Sequence, residues 1–482
     1  MDERAKRVLL VNPNQTKPAV SPLALDYLAH ALRQNQFQVD MLDLCFVDDA
    51  AQAIEGYFAH GDVMAVGVTL RNSDDAYFAS QGFFVPGFKE IIDHLKGHTS
   101  APLILGGIGF SIMPEAILDY CGLDIGIWGE GEHSLPLLLS RMAAGQEYRD
   151  VPALIYRSET GFHCNPAAYL DLGHLPAPER STVDNKRYFA EGAMGNLESK
   201  RGCPKGCIYC ADPIGKGRRF RLRSPQGVVD EMEALLQAGI DHLYFCDSEF
   251  NLPYSHAKEI CLEIISRGLG TRVRWYAYAS PAPFSAELAL LFRKSGCAGV
   301  NFGVDSGDER MLRTLGRDFT VDDLKHTAAL CHKHSVVFMY DLLLGGPGET
   351  RESLRKTIEI MKRLSPDRVG AALGVRVYPQ TKLAVAVRRK GPLASNPDLH
   401  GWVRADNPFF VPVFFLSSAL GPDAAQYLAR LVGGDERFFL GSTDADNENY
   451  NYNENELLVN AIKEGYRGAF WDILRRMRES QQ

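Results

Sequence analysis

Two separate series of strand-like runs alternating with helix-like runs constrain this chain more than any other feature. In the first, short apolar runs at 8–11, 38–42, 64–68, 103–105 and 125–128 are separated by stretches with helical spacing. The first of those stretches opens at Ser21-Pro22, a serine able to cap and a proline suited to a first turn. It carries Leu25, Leu28, Ala29 and Leu32 on one stripe. Strands alternating with helices predict a doubly wound parallel sheet over residues 1–145. Ligands on such sheets sit at the carboxyl edge. That edge here offers Asn12-Pro13-Asn14, Thr69-Leu70-Arg71-Asn72, Gly106-Gly107-Ile108-Gly109 and Gly129-Glu130-Gly131-Glu132. Glycines after a strand let a ligand approach the backbone, or simply make tight turns.

Residues 146–192 hold several prolines and one hairpin pattern, 153–157 with 162–165, and read as a connector. The second series fills 193–390, with strands expected at 196–200, 240–246, 273–279, 299–304, 336–343 and 368–377. Its best-marked helix runs from Ser224-Pro225 through Val228, Val229, Met232, Leu235 and Leu236 to Gly239. Six strand–helix pairs predict a partial (β/α)6 barrel of the TIM type, whose chemistry comes from the carboxyl ends of its strands. Residues 391–482 have another texture and read as a cap, with the polar stretch 444–456 and a closing amphipathic helix around Trp471. Within the cap, Asn449-Tyr450-Asn451-Tyr452-Asn453 has groups suited to a polar substrate, although such a stretch is more often a surface loop.

A net charge of −8 and a pI near 5.9 argue against a nucleic-acid partner. No stretch reaches the ~20 apolar residues that cross a bilayer; the longest apolar run, 408–420, is broken by Pro412 and two serines. With no secretory signal pattern at the start, the expected compartment is the cytoplasm.

Of ten cysteines, seven are scattered singly, and three crowd into Arg201-Gly202-Cys203-Pro204-Lys205-Gly206-Cys207-Ile208-Tyr209-Cys210. In a reducing compartment such crowding points to a metal. A zinc site would need a fourth ligand, and no second Cys or His pair lies at finger spacing. A cubane iron–sulfur cluster ordinarily takes four thiolates. Three, spaced C-x3-C-x2-C behind the first barrel strand, leave one iron open to chelate the amino and carboxylate groups of S-adenosylmethionine (SAM).

This motif, with Tyr209 just before its last cysteine, resembles that of the radical SAM superfamily, and further likenesses follow in order. Leu243-Tyr244-Phe245-Cys246-Asp247-Ser248-Glu249 is similar to the second-strand segment that reaches the SAM amino group, although Asp247 or Ser248 would also serve as a helix cap. Phe302-Gly303-Val304-Asp305-Ser306-Gly307 matches the fourth-strand motif, with Asp305 where many relatives have glutamate. Leu344-Gly345-Gly346-Pro347-Gly348-Glu349 resembles the fifth-strand glycine motif near adenine, and Val375-Arg376-Val377 the end of the sixth strand. Residues 7–145 resemble the cobalamin-binding domain placed before the barrel in one large class.

The resemblance implies a 4Fe–4S cluster on Cys203, Cys207 and Cys210. It implies SAM contacts at Tyr209, Asp247, Ser248, Glu249, Asp305, Gly345, Gly346 and Arg376. It implies cobalamin contacts at Asn12, Asn14, Arg71, Gly106, Gly107, Gly129, Glu130 and Gly131. The aspartate-x-histidine-x-x-glycine motif is absent, which implies cobalt without a histidine lower ligand; Arg71 is the candidate for that face. The implied activity is methylation of an unactivated carbon of a small molecule, lipid or peptide, through methylcobalamin and a 5′-deoxyadenosyl radical, with a flavodoxin or ferredoxin as electron donor. Radical cyclisation, rearrangement or oxidation is the alternative within enzymes, and a non-catalytic iron–sulfur scaffold the alternative outside them. Methylthiolation would require three more cluster cysteines in the first domain, where Asn12 to Asn14 stand in place of one of them and Cys45, Cys121 and Cys164 lie dispersed.

Overall fold

The computed structural model describes residues 6–174, 178–443, 446 and 448–480; Asp444, Ala445 and Asn447 of the polar stretch lie outside these, as does the opening 1–5. Strands β1 (Arg7–Asn12), β2 (Gln38–Asp43), β3 (Ala65–Thr69), β4 (Leu103–Gly106) and β5 (Ile125–Ile127) form a parallel sheet in the order β2-β1-β3-β4-β5. β1 is buried from Val8 to Asn12, as a strand covered by helices on both faces must be. Leu25, Leu32, Leu138 and Leu139 pack on one face, and Phe88, Ile92 and Leu118 on the other.

Two expectations change here. The first helix is Leu23–Gln34, and Ser21 does not cap it: its Oγ donates instead to Asn185 Oδ1 at 3.0 Å, tying the helix start to the connector. The connector hairpin, β6 (Leu154–Ser158) and β7 (Gly161–Cys164), extends the first sheet antiparallel from β5. Residues 154–164 thus belong to the first domain, because the exposed edge of β5 needs a partner for its backbone groups.

The second sheet begins with β8 (Gly195–Leu197), followed by the two-residue ribbon β9 (Lys200–Arg201) and β10 (Arg221–Leu222). It continues through β11 (His242–Phe245), β12 (Arg274–Ala279), β13 (Cys297–Asp305), β14 (Phe338–Leu344) and β15 (Arg368–Leu373), all parallel and in chain order. Ser224 caps the helix Pro225–Gln237 through Gly227 N, as its sequence demands.

The expected sixth strand breaks at Gly374, whose φ is +87° and where a Cβ would lie 2.7 Å from Phe78 of the first domain. Beyond the break, β16 (Val375–Arg376) joins β17 (Leu399–Gly401) and β18 (Val413–Phe415) in a small antiparallel sheet. The exposed flank of β15 takes β19 (Phe438–Leu440), a seventh parallel strand supplied by the cap.

Strand alternation sorts the barrel's side chains. Trp275, Ala277, Val300, Phe302, Phe338 and Tyr340 face the surrounding helices. Tyr276, Tyr278, Gly299, Asn301, Gly303, Met339 and Asp341 alternate with them and face the lumen. Among the described residues no helix is long and apolar enough to cross a membrane.

Buried ions join the two domains. Arg180 of the connector pairs with Asp26 of the first domain at 3.0 Å and with Glu231 of the barrel at 2.7 Å. Arg223 completes the group 2.7 Å from the other Glu231 oxygen. On the far side Arg376 reaches Asp74 at 3.1 Å. The carboxyl edges of both sheets are thereby held facing each other.

Candidate active site

The cysteine loop lies between β9 and the helix Asp212–Lys216, at the carboxyl edge of β8. Gly202 has φ +86°, and a Cβ there would lie 2.0 Å from Arg219 O, so only glycine fits. The loop's outer side is pinned by Cys203 N to Gly217 O (3.0 Å), Ile208 N to Leu315 O (3.0 Å) and Leu383 N to Ile208 O (2.8 Å). Burial raises the pKa of all three thiols and nearby carboxylates add to it, while at Cys207 the Arg317 guanidinium opposes the rise. Such thiols ionise when a cation replaces their protons. Among the described residues no three His, Cys, Asp or Glu side chains converge as a single metal ion requires. A cubane asks for something else, one thiolate at each of three separate corners, and this donor set suits it.

Arg317 was not singled out in the sequence, yet it organises this mouth. Its NH1 lies 3.1 Å from Cys207 Sγ and 3.4 Å from Tyr209 Oη. Its Nε lies 3.5 Å from Asp305 Oδ2 and its NH2 3.6 Å from Glu249 Oε1, while NH2 also donates to Gly303 O. Tyr209 donates to Asp305 Oδ2 at 2.6 Å. Asp305, at φ +64°, therefore holds both the arginine and the tyrosine.

The expected SAM-binding residues separate into different environments. Asp247 is fully engaged, accepting from Lys200 Nζ at 2.8 Å, Ser199 N at 2.9 Å and Ser199 Oγ. Ser248 donates to Asp212 at 2.8 Å. Glu249 alone of the three keeps a buried oxygen, Oε2, without a partner, and burial lifts its carboxyl to about 7. Gly345 and Gly346 leave room for Leu416 and Leu315, which a Cβ would approach to 2.4 and 2.9 Å; Glu349 accepts from Gly345 N at 2.8 Å. Arg376 points to Asp74, away from the cysteine loop.

The expected cobalamin-binding residues separate similarly. Asn12 Nδ2 donates to Asp43 and Tyr188, both at 2.9 Å, while Asn14 keeps a buried Nδ2 with no partner. Gly107, φ +96°, lies where a Cβ would be 2.5 Å from Leu70 O; Gly106 is less crowded. Gly129 and Gly131 flank Glu130, which is taken by Arg221 at 2.5 Å and by Leu170 N at 2.9 Å. Glu132 pairs with Arg201 at 2.6 Å. The acidic glycine turn thus ties the domains together, and its two charged partners lie on the ribbon beside the cysteine loop.

Arg71 differs from all of these. Solvent reaches it, it has no hydrogen bond or ion pair among the described residues, and the enclosing protein lowers its pKa by burial. Cys246, at the end of β11, lies near it, so Arg71 stands where the first domain meets the barrel.

Tyr278 faces inward and is still 36% exposed. Below it, Trp471, Tyr276, Met339, Phe439 and Tyr450 close the floor. Tyr450 belongs to the Asn449–Asn453 stretch of the cap. It enters the barrel, donates to Asp341 Oδ1 at 2.6 Å and accepts through its carbonyl from Tyr77 Oη at 2.6 Å. Its neighbour Asn451 donates to Asp75 at 3.1 Å. A stretch composed like a surface loop is buried because the Asn451 amide finds Asp75 in the first domain and the Tyr450 hydroxyl finds Asp341 in the barrel.

Residues 197–361 match the model of the radical SAM superfamily and residues 14–139 that of the B12 binding domain. The chain is 35% identical over 446 residues to a tryptophan 2-C-methyltransferase of Streptomyces laurentii, covering 79% of this chain and 74% of that protein. Among solved structures it is similar to the radical S-adenosylmethionine methyltransferase TsrM of Kitasatospora setae. The form with tryptophan substrate and a SAM analogue bound superposes with a TM-score of 0.91 at 32% identity, covering 99% of this chain and 100% of that one. The form with cobalamin and a 4Fe–4S cluster gives 0.88 at 31%, covering 99% of each.

Proposed function

Since the chain belongs to the cobalamin-dependent radical SAM methyltransferases, we propose that it methylates a free aromatic amino acid, tryptophan or a close indole analogue, on a ring carbon. The observation that carries this reading is the lumen lined by tyrosine rings and floored by a carboxylate, within a chain similar over its whole length to an enzyme with tryptophan bound. A lipid tail would meet the Asp341 carboxylate and the Tyr450 hydroxyl at the lumen's end, and burying apolar chain against them is unfavourable.

In this reading Cys203, Cys207 and Cys210 hold the cluster, and Glu249, with its unpartnered oxygen, receives the amino group of SAM. Arg71, exposed and without an ion pair among the described residues, would lie against cobalamin and supply a fixed cation there. When bound, the cluster, SAM and cobalamin supply electrons, a methyl sulfonium and a methyl carrier. The chain's own part is positioning: two carboxyl edges locked by buried ions bring cofactors and substrate within reach of one another and exclude bulk water. A flavodoxin or ferredoxin in a reducing cytoplasm completes the reading.

The test is anaerobic reconstitution with iron, sulfide and cobalamin, followed by mass spectrometry with tryptophan and SAM. The expected result is a singly methylated ring and one S-adenosylhomocysteine per product. Replacing Cys203, Cys207 or Cys210 by alanine should abolish bound cluster and turnover together; cluster retained in all three variants would refute the ligand assignment. Arg71→Ala and Arg71→Lys should shift the visible spectrum of bound cobalamin, and spectra identical to the wild type would remove Arg71 from that role.

A further inference from the structure

The floor of the lumen carries an arrangement that includes none of the residues assigned above to the cofactors. Asp341 is buried on β14 and accepts from Tyr450 Oη at 2.6 Å and from Asn301 Nδ2 at 3.3 Å. Asn301, 4% exposed on β13, spends its only donor contact on Asp341, and its Oδ1 has no partner. Both residues face the lumen, in register with Tyr278 and Gly370. No arginine or lysine pairs with Asp341 among the described residues. Asp341, which already accepts from Tyr450, Asn301 and Tyr278, and the orphaned amide oxygen of Asn301 lie together beside Tyr244, so that among the described residues one buried acceptor lacks a donor and the carboxylate lacks a cation. Burying such acceptors is unfavourable unless a donor arrives. Aromatic faces and a carboxylate together select a cation.

We infer that Asp341 and the Asn301 carbonyl oxygen are the seat of the substrate's ammonium group, so that the enzyme selects free amines. This rests on the aromatic amino-acid reading above. It makes Asp341 and Asn301 determinants of specificity, placed to hold the substrate rather than to react with it. A peptide whose amine is acylated would leave the carboxylate without its counter-ion and would be rejected.

The experiment is equilibrium dialysis of the reconstituted holoenzyme with three probes: tryptophan, tryptamine (amine kept) and indole-3-propionate (amine absent). Wild-type protein should hold tryptophan and tryptamine roughly tenfold to a hundredfold more tightly than indole-3-propionate, the range expected of a charge-assisted hydrogen bond. Asp341→Asn, which preserves shape, should remove most of that preference while leaving the affinity for indole-3-propionate within about twofold; Asp341→Glu should restore part of it. Equal losses for all three probes in Asp341→Asn would mean a merely structural role and overturn the inference. Equal affinity of the wild type for tryptophan and indole-3-propionate would overturn it while leaving the substrate reading intact. A wild type that binds none of the three would overturn both.

Discussion

Glu349 shows how a motif residue acquires a pH dependence. Its carboxyl is fully buried, accepts from Gly345 N and Ser353 Oγ, and is pushed up from 4.5 to about 7 by burial. The folded state therefore keeps the proton to higher pH than the unfolded chain does. The stability so conferred is complete below pH 4.5 and is lost as the pH rises through about 7, by up to ~3 kcal/mol. Glu349→Gln keeps an acceptor for Gly345 and carries no charge. Its melting temperature should depend less on pH than the wild type's between about pH 5 and about pH 8, which differential scanning fluorimetry can follow. Equal slopes for the two proteins would place the charge elsewhere. Arg317 belongs to the same scale. Nothing in its local sequence sets it apart from the other arginines, because its role comes from Tyr209, Asp305, Glu249 and Cys207, which the fold brings from three other strand ends.

Elements were legible where local signals agree. Ser224-Pro225 opened a helix as expected, and Gly202 has the positive φ that a loop wrapped around a cluster was expected to need. Ser21-Pro22 carries the same signal as Ser224-Pro225, yet its serine was drawn to Asn185, 164 residues away. The sixth strand reads continuously across Gly374 because its interruption is caused by Phe78 of another domain. Lumen glycines have the same long-range origin. A methyl group at Gly370 would lie 2.5 Å from the Tyr450 ring and at Gly299 2.8 Å from the Trp471 ring. Gly370→Ala and Gly299→Ala should each lower stability by about 1–3 kcal/mol in urea titrations, since neither ring has space to withdraw. If Tyr450→Ala relieves the first defect, the clash is the cause.

For the whole molecule, the parts list was largely in the sequence and its assembly was not. The cysteine spacing and two alternating series specify a cluster loop and two α/β units. Asp26, Arg180 and Glu231 are unremarkable singly and become a clamp only in three dimensions. Breaking it by Arg180→Ala leaves buried Asp26 without a cation and Glu231 with Arg223 alone, and should cost about 3 kcal/mol. Because that clamp joins the domains, the single denaturation transition of the wild type should split in two. A single, merely shifted transition would show that the other contacts suffice.

β19, Tyr450 and Trp471 come long after the barrel strands they complete. During synthesis the cysteine loop is therefore made well before the lumen has a bottom or β15 a neighbour. A nascent chain halted near residue 430 would carry the whole cysteine loop and still be an open tube with an unpaired rim. Closing the barrel is thus a task for the finished polypeptide.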